Sequence, residues 1–210
     1  MAKTKAVKQT DISTEERIKQ AARNVFYRKG FAATRTRDIA EEADINLALL
    51  NYYFRSKQKL FDIIVIEALS NFVKTIQFVL NDEETSLEEK IQDLANNYID
   101  FIREEPHVPT FIVTEIRNNP KELLNKLPVR EILSKSVCFR QYREAVKLGR
   151  INEPKPLHFL MNLIGLIVFP FIAKPLIMEA NNFKASAFDQ LMQERKKLIP
   201  LWIKAMFKTE

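Results

Sequence analysis

The sequence predicts an all-α fold, and three observations support that prediction. Only 3 of the 210 residues are glycine, and hydrophobic residues make up 46% of the chain. Apolar residues recur three and four positions apart along most of the chain, which is the spacing of one face of a helix. The alternation of apolar and polar residues that marks half-buried strands does not appear. A chain of this length can form one large domain or two small ones, with a substantial buried core.

The first strongly patterned helix is predicted to begin near residue 13. Ser13 and Glu16 have the spacing of a capping box, in which each residue bonds to the backbone of the other at a helix N-terminus. Gly30 is expected at the C′ position, where a left-handed conformation ends the helix. The apolar stripe between these two signals consists of Ile18, Ala21, Ala22, Val25 and Phe26.

Two short helices joined by a tight turn are predicted next. Residues 34–43 have apolar positions at helical spacing and form the first helix. The turn, Asp44-Ile45-Asn46, interrupts it because Asp and Asn bond to local backbone, and its asparagine is a favourable N-cap. The second helix, residues 47–54, can bury Leu50 and Phe54 against the first. A helix, a three-residue turn and a second helix have the spacing of a helix-turn-helix that reads DNA.

This segment resembles the DNA-binding domain of TetR-type transcriptional repressors from Glu16 to Phe61. That family typically shows an Ile-Ala pair, an Ala-Gly-Val turn, a recognition helix rich in Tyr or His, and then Phe-x-Ser/Asn-Lys-x-x-Leu. Asp44 occupies the position where glycine is commoner, so a left-handed conformation is expected there. The matching residues are Ile39-Ala40, Ala43-Asp44-Ile45, Asn51-Tyr52-Tyr53-Phe54, and Phe54-Arg55-Ser56-Lys57 with Leu60.

The resemblance implies a two-domain, all-α regulator of transcription. Residues 1–55 would form a three-helix DNA-binding domain with the helix-turn-helix. Residues 56–210 would form a larger helical bundle that dimerises and binds a small-molecule inducer. Such a protein would bind a palindromic operator in double-stranded DNA as a homodimer, most commonly as a repressor. A long helix predicted from Lys57 to about Val79 would connect the two domains.

Nine residues are predicted to contact DNA, from the resemblance and from helix geometry. Four consecutive apolar residues begin the second helix and cannot all be buried on one face, so packing stays an alternative for Leu47 and Leu49. Asn51 carries the side chain type that pairs with adenine. Tyr53 and Lys57 match the phosphate-contact positions of the family. The full set is Thr36, Arg37, Leu47, Ala48, Leu49, Asn51, Tyr52, Tyr53 and Lys57.

The positive charge of the chain is concentrated in the same segment. Of the net charge of +6, residues 1–60 contribute 13 Lys/Arg against 7 Asp/Glu, and residues 61–210 contain 20 of each. Phosphate binding requires such an excess, because neutralised phosphates release their counterions. Residues 1–12 are interpreted as a disordered tail, with an arm that contacts DNA as the alternative. The single cysteine excludes an internal disulfide, and no apolar run marks a signal peptide, so a cytoplasmic location is expected.

Two apolar helices near the C-terminus are predicted to form the homodimer interface. Residues 159–172 are nearly all apolar but too short to span a bilayer, so no membrane partner is expected. A helix that is apolar on all sides must be covered on all sides, and its own domain covers only one. The last helix, residues 187–207, has a broad apolar face and is expected to kink at Pro200. Before them, a long helix is predicted over residues 129–148, ended by Gly149.

Aromatic residues in the middle of the chain allow two interpretations, a filled core or an apolar pocket between helices interrupted by prolines. The inducer is predicted to be a small apolar or aromatic molecule, because no cluster of Lys or Arg lies among these residues to hold an anion. The candidate ligand-binding residues are Tyr98, Phe101, Phe111, Phe139, Tyr142, Met161, Asn162 and Phe169.

No catalytic site, cofactor or metal is predicted. Glu104 and His107 have the Glu-x-x-His spacing of di-iron bundles, but the motif occurs once and contains a proline. His158 is interpreted as a packed or interface residue, and Cys138 as a small core residue. The predicted function is therefore a ligand-responsive regulator and not an enzyme. The alternatives are a non-inducible architectural or non-specific DNA-binding protein and, more distantly, a helical enzyme or scaffold.

Overall fold

The computed structural model describes residues 3–118, 120–126 and 134–208, and within these ranges all regular secondary structure is helical. The all-α prediction is confirmed. The helices are α1 (Lys3–Ala33), α2 (Thr36–Glu42), α3 (Leu47–Phe54), α4 (Lys57–Asn81), α5 (Leu87–Glu104), α6 (Val108–Asn118), α7 (Pro120–Lys126), α8 (Val137–Lys147), α9 (Pro156–Ile172), α10 (Lys174–Ala180) and α11 (Ala185–Met206).

The chain divides into two compact units, Met1–Ala68 and Leu69–Glu210, referred to below as the smaller and the larger unit. The division falls inside α4, whereas the sequence suggested a boundary between residues 55 and 56. The first turns of α4 belong to the smaller unit because their apolar side chains complete its core. The Phe61 ring lies 5.2 Å from the ring of Phe26 and 4.6 Å from that of Phe31.

The first helix differs from the prediction at its start and agrees at its end. α1 begins at Lys3, so residues 3–12 are helical and not a disordered tail. No glycine or proline in that stretch opposes a helix. The helix is interrupted at Gly30, which has φ 77° and ψ 159°, as the glycine signal predicted. The whole predicted apolar stripe of α1 is buried, namely Ile18, Ala21, Ala22, Val25 and Phe26.

In the larger unit, α5 packs against α9 and α11. Ser86 caps α5 as predicted, accepting a hydrogen bond from the Glu89 N–H at 3.2 Å. An aromatic cluster lies between α8, α9 and the end of the chain, where the Tyr142 ring is 5.2 Å from Phe159 and 6.0 Å from Phe207. The core of the larger unit therefore lies among α5, α8, α9 and α11.

The helix before Gly149 is shorter than the sequence suggested. α8 begins at Val137, because Ser136 is extended, with φ −69° and ψ 151°. The predicted start at residue 129 lies outside the described residues. Gly149 follows the helix with φ 66°, which confirms it as the stop signal. Cys138 in the first turn is fully buried, and burial raises its thiol pKa to about 12, so it is an inert core residue.

Pro170, inside α9, leaves the carbonyl oxygen of Leu166 without its usual helical donor, because proline has no N–H. The guanidinium of Arg195, on α11, replaces that donor with a hydrogen bond of 2.7 Å from Nη2. The same guanidinium lies 5.0 Å from the centre of the Trp202 ring, which holds it in place. The hydrogen bond that α9 loses at Pro170 is therefore replaced by one from α11.

Pro200, inside α11, has the same effect on the carbonyl oxygen of Lys196. The side chain of Gln92, on α5, donates to that oxygen from Nε2 at 3.0 Å. Lys196 also holds α5 through its ammonium, which is 2.6 Å from an oxygen of Asp100. At Pro200, where the sequence predicts a kink, a donor from α5 therefore replaces the missing N–H.

Large apolar side chains remain exposed on α9, α10 and α11. Among the described residues, α4 is long and apolar enough to cross a membrane, and α9 with α10, bent by 63°, passes the same test as a pair. Core helices of soluble proteins meet this criterion too, and α4 buries Leu60, Ile64, Leu69 and Phe72 within the protein. The exposed apolar side chains of α9, α10 and α11 are Leu157, Met161, Ile164, Phe169, Ile172, Leu176, Leu198, Leu201 and Met206.

Replacing Gln92 by leucine is expected to lower the free energy of unfolding of the larger unit by about 1–3 kcal/mol, because the carbonyl of Lys196 loses its donor. In a Pro200→Ala background the loss should shrink, since the alanine brings its own N–H. The wild-type protein, the two single variants and the double variant form a double-mutant cycle. Chemical unfolding of these four proteins at one concentration, followed by the fluorescence of the single tryptophan, measures it. Gln190→Leu, on the exposed side of α11, is the control. Equal losses in both backgrounds would show that the bond to Lys196 contributes nothing.

Candidate nucleic-acid interface and ligand cavity

The turn between α2 and α3 is a Schellman motif with Asp44 in its left-handed position. Asp44 has φ 51°, which confirms the conformation predicted for this residue. Its N–H donates to Glu41 O at 3.1 Å, and the Ile45 N–H donates to Ala40 O at 3.0 Å. These two bonds satisfy carbonyls at the end of α2 and direct the chain into α3.

The third helix has one buried and one exposed face. Its N-cap is Asn46, as predicted, whose Oδ1 accepts a hydrogen bond from the Leu49 N–H at 2.8 Å. Leu50 and Phe54 are 0% and 2% exposed, which confirms them as the inward residues. The opposite face, at helical spacing, consists of Ala48, Asn51 and Tyr52, all exposed. This face is free to enter a groove of DNA.

All nine predicted DNA-contact residues lie in α2, α3 or the first turn of α4. Thr36 and Arg37 form the first turn of α2, where unbonded N–H groups and the helix dipole favour a phosphate. The exposed members of the set are Arg37, Ala48, Asn51 and Tyr52, and the half-buried ones are Thr36, Leu47, Leu49, Tyr53 and Lys57. The geometry is compatible with the nine contacts, which stay predictions.

Lys57 has an internal role that the sequence did not indicate. Its ammonium donates to the carbonyl oxygens of Phe31 and Thr34, each at 2.8 Å, and lies 4.3 Å from the centre of the Phe31 ring. Both carbonyls follow the interruption of α1 at Gly30. An ammonium has three donors, so two of them join α4 to the end of α1 and the third can still reach a phosphate.

Two exposed arginines beside the predicted contacts were not among the sequence candidates. Arg35 lies immediately before α2, and Arg55 immediately after α3. Arg55 has φ 57°, and the Ser56 N–H donates to Phe54 O at 2.5 Å, which closes a γ-turn. A strained, charged residue of this kind is often found at functional sites. In the sequence, only its charge at the end of the recognition helix could have indicated it.

Ion pairs hold α2 against α1. Lys29 Nζ is 3.1 Å from an oxygen of Asp38, and Arg28 Nη2 is 2.8 Å from an oxygen of Glu42. Asp38 also accepts a hydrogen bond from the backbone N–H of Arg35 at 2.9 Å. That bond and then the one from Lys29 lower the pKa of Asp38, and Arg28 lowers the pKa of Glu42. Asp38 and Glu42 are therefore paired with cations of α1.

The larger unit contains an apolar cavity of about 630 Å³ between α4, α5, α6, α7 and α9. Among the lining residues that the structure describes, Tyr98 alone has a polar side chain. Tyr98 also lines a neighbouring apolar cavity of about 140 Å³. Burial raises the pKa of Tyr98 to about 12, so its hydroxyl stays neutral at physiological pH. The larger of the two volumes is in the range of sites for small molecules.

The predicted ligand-binding residues are divided among three cavities. Tyr98, Phe101 and Phe169 line the 630 Å³ cavity, Tyr98 and Phe139 line the 140 Å³ cavity, and Tyr142 and Asn162 line a third one of about 470 Å³. Phe111 is buried and Met161 is 61% exposed, and neither lines these three spaces. The aliphatic wall was missed, although its helical spacing is visible in the sequence as Ile112 and Ile116 in α6 and Ile164 and Val168 in α9.

The Glu-x-x-His spacing does not lie on one helix. α5 ends at Glu104, and α6 begins at Val108, so His107 lies in the connection between them. Among the described residues, no group of three or more His, Cys, Asp or Glu side chains could hold a metal ion.

Residues 18–64 match the model of a known family, described as bacterial regulatory proteins, tetR family. The matched range includes α2, the turn and α3. Over 208 residues the chain is also 26% identical to a Bacillus subtilis (strain 168) protein named "Probable HTH-type transcriptional regulator YttP", covering 94% of this chain and 96% of the relative.

Solved structures share the fold over nearly the whole chain. A Mesorhizobium loti protein described as a TetR-family transcriptional regulator has a TM-score of 0.60 at 21% identity, covering 91% of this chain and 96% of its own. Salmonella enterica GusR has a TM-score of 0.62 at 18% identity, covering 94% and 96%. The helix-turn-helix geometry and the family match agree: residues 18–64 form a DNA-binding domain of the tetR family, and the relative that matches over nearly the full length is named as a transcriptional regulator.

Proposed function

We propose that this protein is a cytoplasmic, ligand-responsive repressor that binds a palindromic operator as a homodimer. The observation that carries the proposal is the exposed face of α3, with Ala48, Asn51 and Tyr52 opposite the buried Leu50 and Phe54. The net positive charge of the chain lies in the same domain. A recognition helix with this arrangement reads base edges in the major groove while surrounding cations contact phosphates.

Dimerisation is supported by the exposed apolar side chains of α9 and α11. The two helices meet at these faces, where Asn162 Nδ2 donates to Met206 Sδ at 3.5 Å. Monomeric proteins rarely expose large contiguous apolar patches, so a second copy is the simplest cover. Two copies related by a two-fold axis would present their recognition helices about 34–36 Å apart, or a multiple of that distance, as two half-sites require.

Ligand response is supported by the 630 Å³ cavity. α4 contributes Leu69 and Val73 to its wall, while earlier turns of the same helix contribute Leu60 and Phe61 to the core of the smaller unit. A ligand changes DNA affinity only if it binds one conformation more tightly than the other. We expect the ligand to favour a conformation with lower affinity for the operator.

Footprinting of the DNA beside the gene for this protein tests the central proposal. Purified protein should protect an inverted repeat at concentrations that leave neighbouring DNA open. Uniform protection without a preferred site would instead identify a non-specific architectural protein. No protection at low salt would remove the DNA-binding proposal altogether.

Replacing Asn51 by alanine is expected to relax base preference at one position in each half-site, by about 1–3 kcal/mol, because an amide that pairs with adenine is lost. Competition between operator variants with a single changed base pair measures this. Asn24→Ala, on the exposed side of α1, is the matched control and should leave preference unchanged. If Asn51→Ala weakens all sequences equally, Asn51 contacts the DNA backbone.

Lys57→Ala is expected to have two separable effects. Loss of the bonds to Phe31 O and Thr34 O should destabilise the smaller unit by about 1–3 kcal/mol. Loss of a phosphate contact should weaken binding to any duplex and lower the salt slope by about one unit. A salt series well below the melting temperature, with a melting curve beside it, separates the two. Lys59→Ala, two residues away and exposed, is the control. Lower stability with an unchanged slope would confine Lys57 to its internal role.

Leu201→Asp is expected to give monomers that no longer bind the operator, because it places a charge in the proposed interface far from the reading domain in sequence. Leu201 is 62% exposed, so the substitution should leave the fold of one subunit intact. Light scattering with size-exclusion chromatography at micromolar concentration measures the mass. Leu148→Asp, at a residue 66% exposed after α8, is the matched control. A monomeric wild-type protein would refute the interface.

A further inference from the structure

The 630 Å³ cavity restricts the charge of its ligand. Among the residues that the structure describes, its lining includes no Lys, Arg or His that could pair with an anion, and no Asp or Glu that could pair with a cation. Transfer of an unpaired charge into such surroundings is strongly unfavourable. The molecule that fills the cavity must therefore be uncharged where it is enclosed.

One residue of the cavity wall, Tyr98, carries a hydrogen-bond donor. The hydroxyl of Tyr98 makes no hydrogen bond to any residue that the structure describes, although its ring is fixed against Phe72 at 4.5 Å between centroids. The apolar side chains around this hydroxyl offer it no partner, and a polar group in such surroundings is more stable when it is hydrogen-bonded. A ligand atom that accepts a hydrogen bond would supply that partner.

The space continues past this tyrosine. The 630 Å³ and 140 Å³ cavities share Val73, Tyr98 and Ile164 in their walls, so they adjoin across these side chains. The smaller cavity is close to the apolar volume of about 150 Å³ that admits a benzene molecule in a protein core. Its remaining lining residues are all apolar. It can hold the end of a hydrocarbon chain or a small ring.

Gly165 leaves room beside the cavity wall. It lies inside α9 and in the cavity wall, where glycine destabilises a helix relative to alanine. Apart from its chain neighbours and the backbone of its own helix, no atom lies within 4 Å of the position that a Cβ would occupy. Close packing therefore does not require glycine here, and a side chain large enough to extend from this position over the cavity wall would reduce the space for a ligand.

We propose that the effector is a neutral molecule with a hydrocarbon chain and one hydrogen-bond acceptor, bound with the acceptor at the Tyr98 hydroxyl and the chain end in the 140 Å³ cavity. An ester or ketone of a medium-length chain has this chemistry, and an ionised fatty acid does not. The inference rests on the proposed ligand response and specifies the ligand class.

The test compares three probes of equal chain length on the full-length protein without DNA at pH 8. Methyl decanoate has a neutral acceptor, decane has none, and decanoate carries a charge. Titration calorimetry, with the melting temperature as a second readout, should rank methyl decanoate first. Decane should bind about three- to tenfold more weakly, the contribution of one hydrogen bond. Tighter binding of decanoate than of the ester, or no binding of any probe, would overturn the proposal.

Two variants assign the binding to this cavity. Tyr98→Phe should weaken methyl decanoate about three- to tenfold and leave decane unchanged, because only the hydroxyl is removed. Gly165→Leu should weaken both probes by filling the cavity, while its melting temperature shows that the fold is retained. Tyr27→Phe, in the smaller unit, is the control. An ester affinity that is unchanged in Tyr98→Phe would refute the role of the hydroxyl.

A separate measurement distinguishes failure of this inference from failure of the proposed function. Methyl decanoate is added to the protein–operator complex, and release of labelled DNA is followed by anisotropy. Tyr98-dependent binding without DNA release would uphold the ligand class and refute ligand-responsive repression. DNA release that persists in Tyr98→Phe and Gly165→Leu would place the effector elsewhere and refute the inference.

Discussion

A buried carbonyl oxygen that loses its helical donor must find another, since leaving it unbonded costs about 1–3 kcal/mol. This constraint determines many tertiary contacts of the protein. At several helix ends, helix interruptions and loops between helices, a long polar side chain supplies the donor. The pairs are Lys57 to Phe31 O and Thr34 O, Lys90 to Asp82 O and Thr85 O, Arg195 to Leu166 O, Gln92 to Lys196 O, and Tyr142 to Glu153 O. Each bond ties a helix to another helix or to a loop.

Lys90 shows how strongly this constraint acts. It is fully buried, which is rare for lysine unless the ammonium is satisfied. Its Nζ donates to Asp82 O at 2.5 Å, to Thr85 O at 2.7 Å and to Thr85 Oγ1 at 2.6 Å, and Gln141 adds a further donor to Thr85 O at 2.8 Å. The loop between α4 and α5 is therefore held by side chains of α5 and α8. α4 and α5 both line the apolar cavities, so this loop also fixes their walls.

The sequence predicted what is local and missed what is distant. The N-cap at Asn46, the left-handed Asp44 and the inward Leu50 follow from neighbours within a few residues. The interruption at Gly30 was also visible, but its partner Lys57 lies 26 residues away from Phe31 and could not be deduced. Likewise Pro200 predicted a kink in the last helix, but the side chain on α5 that donates to the freed carbonyl is brought there only by the packing of the two helices. For the cavity, composition identified apolar residues but not which of them leave space, so six of the eight candidates divide among three cavities and two line none of them.

The continuity of α4 has a practical consequence for protein engineering. Regulators with exchanged DNA specificity are made by fusing the reading head of one protein to the sensor of another. A junction at residue 55 would take Lys57 and Phe61 from a foreign sequence and leave the carbonyls after Gly30 without a matched donor. A junction after Ala68 keeps these contacts within one parent, because the compact unit extends that far. The natural place to recombine this protein is therefore within a helix, not in a loop.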